Sequence, residues 1–123
     1  MIVAVTVLTS IDDSVLADLG VARPVPRKVE ALAALARKTG IDGVVASPLE
    51  IGLIRASCGK DFTIVTPGIR NRGTDPLNDQ SRTMDAGSAV RAGASYLVVG
   101  RPIIAASDPR AAAVQIARQV QDG

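Results

Sequence analysis

The chain has 123 residues, 47% of them hydrophobic but only 2% aromatic, and a formal net charge of +2. That is enough for one modest domain with a core of Ala, Val, Ile and Leu, a composition that suits parallel strands covered by Ala-rich helices. Interspersed charges and the lack of an aromatic platform for bases argue against nucleic acid as the main partner. No apolar run reaches the roughly 18 residues that a transmembrane helix needs.

Met1 opens directly onto Ile2-Val3-Ala4-Val5-Thr6-Val7-Leu8, with no basic stretch or cleavage site of the kind a signal peptide carries. Cys58 is the single cysteine, so no disulfide framework exists and a reducing cytosol is the expected compartment. Histidine is absent. That removes the commonest general base, the Ser-His-Asp and Cys-His arrangements and nearly every zinc site. Neither a metal nor a cofactor is expected, and any chemistry must come from Lys, Arg, Asp, Glu or positioned backbone.

In chain order, Ile2 to Leu8 is an apolar, β-branched run expected to form a strand buried on both faces. Thr9-Ser10 closes it, and Asp12 or Asp13 is placed to cap a short helix through about Gly20. Arg23-Pro24-Val25-Pro26 is expected to be a rigid connector, since each proline disfavours helix in the residue before it. From Arg27, the apolar set Val29, Leu32, Ala33, Leu35 and Ala36 recurs at helical spacing until Gly40. Gly43 to Ala46 predicts a second strand, and Ser47-Pro48 starts a helix that stops by Gly59. Phe62 to Val65 predicts a third strand, Met84 to Ala92 a helix, and Tyr96 to Val99 a fourth strand. Asp108-Pro109 caps a last helix through about Val120.

This order is βα repeated four times, with an extra helix between the first two strands. Gly40 to Val45 and Gly93 to Val98 repeat one pattern, a helix stop followed by a strand. Regular alternation of this kind predicts an α/β fold with a parallel sheet and right-handed crossovers. Four units are half of a TIM (β/α)8 barrel, which typically takes about 250 residues.

Two strand ends carry the candidate chemistry. Ile64-Val65-Thr66 runs into Pro67-Gly68-Ile69-Arg70, and Val98-Val99 runs into Gly100-Arg101-Pro102. Glycine lets backbone approach an anion closely, and arginine adds a forked donor. Alone, Gly-Arg-Pro reads as a tight turn with a solvated arginine; two such turns at one end of a parallel sheet read as a phosphate pocket.

Residues 67 to 83 lack apolar periodicity, and loops beyond about 12–15 residues are usually functional or disordered. Arg70, Arg72, Gln80 and Arg82 favour a lid over a surface insertion, with Arg70 placed to ion-pair with a phosphate and Gln80 to reach back across a ligand. The Thr9 hydroxyl suits either ligand contact or a turn. Ser47 reads first as a helix cap. Asp12, Asp13, Asp75 and Asp79 read as caps and loop solvation rather than metal ligands. Cys58, at a helix end, reads as a small apolar residue.

Taken together, Val5-Thr6-Val7-Leu8-Thr9-Ser10, Gly43-Val44-Val45-Ala46-Ser47-Pro48, Val65-Thr66-Pro67-Gly68-Ile69-Arg70, Asp79-Gln80-Ser81-Arg82 and Val99-Gly100-Arg101-Pro102-Ile103 resemble bacterial orotidine 5′-phosphate decarboxylases along essentially the whole chain. The resemblance implies a single partial domain over residues 1–123, the C-terminal half of the barrel with strands five to eight. It implies that Thr9 contacts the nucleotide, that Pro67 lines the side of the pyrimidine, and that Arg70 and Arg101 hold the phosphate. It further implies that Gln80 closes over the phosphate and that Gly100 offers its backbone N–H. Eight residues, Asn71 to Asn78, precede Asp79, so the lid is slightly longer than the common type.

The family decarboxylates with an alternating Lys and Asp array near the ends of strands two and three, and no Lys-x-x-Asp pattern occurs here. Lys28, Lys38 and Lys60 all fall on expected outer helices or a connector. The chain thus carries a binding half without a catalytic half, and is expected to be inactive alone. Two classes remain: part of a decarboxylase whose first half lies elsewhere, or a non-catalytic phosphate-ligand module that closes its barrel as a homodimer. An open half barrel leaves two bare strand edges, which favours the first.

Overall fold

A computed structural model describes residues 1–70 and 82–122. Its strands are β1 (Val3–Val5), β2 (Gly43–Val45), β3 (Thr63–Thr66) and β4 (Tyr96–Leu97). They form one sheet in the order β1-β2-β3-β4, and every neighbouring pair is parallel. The helices are α1 (Asp13–Asp18), α2 (Val25–Lys38), α3 (Ile51–Cys58), α4 (Ala86–Ala92), α5 (Arg101–Ile104) and α6 (Pro109–Gln121). A 3-10 turn at Pro48–Glu50 leads into α3. Sequential parallel order with a helical crossover between each pair of strands is half of a (β/α)8 barrel.

Register explains how burial is divided. Ala4, Val44 and Ile64 lie side by side on one face, where Val44 and Ile64 are fully buried. That face packs with Val29, Ala33 and Ala36 of α2 and Ile51 and Ile54 of α3 in one core cluster. Val5, Val45, Val65 and Tyr96 occupy the adjacent row on the opposite face, where Val5 is 60% and Tyr96 56% exposed. The first strand is therefore not buried on both faces as its apolar run suggests. Its inner side, with those of its neighbours, faces the space that a closed barrel would fill.

The helix stops behave as their glycines predict. Gly40, Gly59 and Gly93 all take positive φ, at 81°, 82° and 109°, ending α2, α3 and α4 where a side chain would strain the backbone. At Gly43 the constraint is contact instead, because a Cβ there would overlap the Thr63 carbonyl of β3. The caps also follow the sequence: Asp12, Ser47 and Asp108 accept from Val15, Leu49 and Ala111 N–H.

The strands are shorter than or shifted from their expected ranges, and three helices depart from expectation. α2 begins at Val25, not Arg27, because Pro24 serves as its N-cap and Pro26 sits within the first turn, where a missing N–H costs nothing. α4 begins at Ala86; Met84 instead bridges in parallel to Ile69, and Asp85 caps the helix through Ser88 N–H. α5 is a single turn immediately after Gly100, too short for apolar periodicity to announce.

Candidate functional site

The C-terminal ends of four parallel strands share one rim of the sheet, and the singled-out turns leave from that rim. Leu8, Thr9 and Ser10 follow β1. With Val5, Val7, Val45, Ala46 and Pro67 they line a pocket of about 150 Å³. Thr9 and Pro67, far apart in the chain, are thus brought to one cavity. The cap of α1 falls to Asp12, so Thr9 is not needed for that task.

Arg70 and Arg101 lie beyond the ends of neighbouring strands. β3 and β4 pair Thr66 with Leu97, and each arginine lies four residues beyond its member of that pair. Arg70 is held from behind: its N–H donates to the Met84 carbonyl at 3.0 Å, while Met84 N–H donates to the Gly68 carbonyl at 3.2 Å. Gly68, at φ 80°, makes the turn that starts this stem. One terminal guanidinium nitrogen of Arg70, Nη2, is buried without a hydrogen-bond partner among the described residues. A buried, unsatisfied cationic donor is costly and marks a place for an acceptor.

On the neighbouring turn, Gly100 precedes α5 and no side chain caps that helix. A Cβ at Gly100 would meet nothing within 4 Å, so the glycine leaves open space rather than relieving a clash. Arg101 is half-buried as the first residue of α5. Of the lid read at residues 67–83, residues 71–81, with Arg72 and Gln80, lie outside the described residues.

Arg82 differs from its place in the lid reading. It is 8% exposed and turned inward, with Nη1 donating to Glu50 Oε1 at 2.6 Å. Its Nη2 donates to the Leu8 carbonyl at 3.0 Å and more weakly to Val7 at 3.4 Å. Glu50 is 3% exposed. This ion pair is illegible in the sequence, which separates Arg82 from Glu50 by 32 residues. Only its position three residues after Ser47, inside an apolar helix start, hinted that Glu50 would be covered.

The rim carries no lysine among the described residues. Lys28 and Lys38 lie on α2 and Lys60 between α3 and β3, so none is on a strand or in the turn after one. Among the described residues no group of three or more His, Cys, Asp or Glu is arranged to hold a metal, and no helix is long and apolar enough to cross a membrane. Cys58 is buried.

The arrangement has close counterparts. Residues 1–116 match the model of the orotidine 5′-phosphate decarboxylase / HUMPS family. The chain is 56% identical over 122 residues to an orotidine 5′-phosphate decarboxylase of Geobacter metallireducens, covering 99% of this chain and 51% of that protein. It is 54% identical to that of Moorella thermoacetica, covering 98% and 48%. The crystal structure of orotidine 5′-phosphate decarboxylase from Lactobacillus acidophilus superposes with a TM-score of 0.78 at 40% identity, over 96% of this chain and 48% of that one. The chain therefore spans about half the length of the relatives it matches.

Proposed function

The chain belongs to the orotidine 5′-phosphate decarboxylase / HUMPS family, and from that membership we propose that it supplies the nucleotide-binding half of an orotidine 5′-phosphate decarboxylase. That lyase releases the carboxylate of orotidine 5′-monophosphate as carbon dioxide and leaves uridine 5′-monophosphate, a step of pyrimidine biosynthesis. In this reading residues 1–123 are one partial barrel domain, and β1 to β4 are strands five to eight of the closed barrel. The observation that carries it is the matched pair of arginine turns, each four residues beyond the Thr66–Leu97 register.

The chain's part in the reaction is grip. Arg70 and Arg101 supply charge-assisted bonds to the phosphate, Arg70 through the Nη2 that no described residue satisfies. Gly100 offers its N–H across the open space before it. Thr9 and Pro67, which share the pocket beyond β1, meet the nucleoside, with the Thr9 hydroxyl as donor and Pro67 beside the pyrimidine. Gln80 closes over the phosphate. Binding energy gathered at a phosphate remote from the reacting carbon can be spent on the transition state. The Lys and Asp groups belong to a companion half, where one Asp repels the substrate carboxylate and a Lys protonates the carbanion. That half also covers Val5, Tyr96 and the open edges of β1 and β4, as closure requires.

Assay of the purified chain tests this directly. It should bind uridine monophosphate, release no carbon dioxide from orotidine monophosphate alone, and do so when mixed with four βα units bearing the Lys/Asp array. Turnover by the chain alone at the rate of a full-length enzyme overturns the division of labour. A soluble homodimer that binds the nucleotide and stays inactive with the companion half would instead identify a binding module.

A further inference from the structure

Arg82 is a buried cation whose bonds join three separate parts of the rim. Its own segment is fastened to the β3 turn by the two backbone bonds between Met84 and Gly68–Arg70. Its guanidinium reaches Glu50, which follows β2, at 2.6 Å, and the Leu8 carbonyl, which follows β1, at 3.0 Å. Leu8 directly precedes Thr9, and its carbonyl also accepts Ile11 N–H at 2.9 Å to close the Thr9 turn. Val7 and Leu8 both line the pocket that contains Thr9 and Pro67. No other side chain among the described hydrogen bonds spans β1, β2 and the stem after β3 in this way.

We propose that Arg82 is a positioning residue, held in its pose by Glu50, that fixes the Thr9 turn at a set distance from the Arg70 stem. The planar fork suits the task, because it directs one nitrogen to the carboxylate and the other to the Leu8 carbonyl; a lysine carries its three donors on one nitrogen and lacks the second, fixed position. The functional consequence rests on the nucleotide-binding reading of this rim. A ligand that spans the nucleoside pocket and the phosphate turns needs that distance preserved. A bare phosphate, held by the Arg70 and Arg101 turns alone, does not.

The test compares wild type, Arg82→Met, Arg82→Lys and an apolar replacement of the whole pair, Glu50→Leu with Arg82→Met. The last variant keeps a measurable protein if a lone buried charge prevents folding. Amide hydrogen exchange is read on the ligand-free chain, then uridine monophosphate and inorganic phosphate are titrated calorimetrically. Exchange at Ile11 should rise at least tenfold in Arg82→Met and in the paired variant, while Ile64 and Ala89 stay protected. Nucleotide affinity should fall at least tenfold with phosphate affinity unchanged, and Arg82→Lys should recover only part of the loss. Unchanged exchange at Ile11, or equal losses for nucleotide and phosphate, overturns the proposal. If the wild-type chain takes up no nucleotide, the functional reading falls, and exchange at Ile11 still decides whether Arg82 fixes the turn.

Discussion

The two ends of the sheet are built from the same kinds of residue and finished differently. At the end where strands begin, polar groups are closed against each other. Arg55 of α3 donates to the Gly93 carbonyl at 2.9 and 2.7 Å, to Gly59 at 3.0 Å, to Phe62 and to Ser95 Oγ at 3.0 Å. Ser95 N–H in turn donates to the Ile64 carbonyl, and Thr63 N–H to Asp42. Burial lowers the Arg55 pKa from its ordinary value, against the opposing pull of Asp61 and then Cys58. At the end where strands finish, Thr66 Oγ1, Arg70 Nη2, Glu50 Oε2 and Arg82 Nε are buried with no partner among the described residues. Arg55 spends its donors on carbonyls and a hydroxyl of its own end, whereas Arg70 at the other end keeps a buried donor unmet among the described residues. Closed turns hold a fold together, whereas a rim with unmet donors is where a ligand gains most.

Variants at matched positions can break that contrast. The largest effect is expected at Glu50→Ala, which strands the Arg82 cation in the interior and should lower stability by about 3–5 kcal/mol in urea unfolding. Arg55→Ala should cost about 2 kcal/mol through its lost charge-assisted bonds, yet leave uridine monophosphate affinity as it was. A loss of binding in that variant would erase the distinction between the ends.

A glycine pair sharpens it further. Gly93→Ala forces a side chain onto φ 109° and against Arg55 Nε at 3.0 Å, so about 1 kcal/mol or more of stability should go. Gly100→Ala meets no atom within 4 Å, so its unfolding midpoint should hardly move while nucleotide affinity falls. The opposite pattern, with Gly100→Ala unfolding early and binding normally, would assign that turn to the scaffold.

The sequence made the helix stops and caps legible because each depends on one residue's own geometry. Gly40, Gly59 and Gly93, and the cap residues Asp12, Ser47 and Asp108, act where they stand. The two arginine turns were legible for a related reason, since each ends a β-branched run abruptly. What escaped notice depends on neighbours distant in the chain. Glu50 and Arg82 are 32 residues apart and meet only because β2 and the stem after β3 end side by side. The exposed inner row was hidden as well, because Ile2 to Leu8 is apolar on both sides and periodicity cannot reveal which side lacks a cover. Pro24 and Pro26 misled in the other direction, as residues that break a helix interior are welcome in its first turn.

The account turns on a single shared anion at the ends of β3 and β4, and a calorimetric double-mutant cycle addresses it most directly. Uridine monophosphate is titrated into wild type, Arg70→Ala, Arg101→Ala and the double variant. Each single substitution should weaken binding by about 1.5–3 kcal/mol, the range for a bond to a charged group, and the double variant should lose less than the sum, as expected when both arginines grip one phosphate. Losses that add independently, or a nucleotide that binds all four proteins alike, would place the phosphate elsewhere.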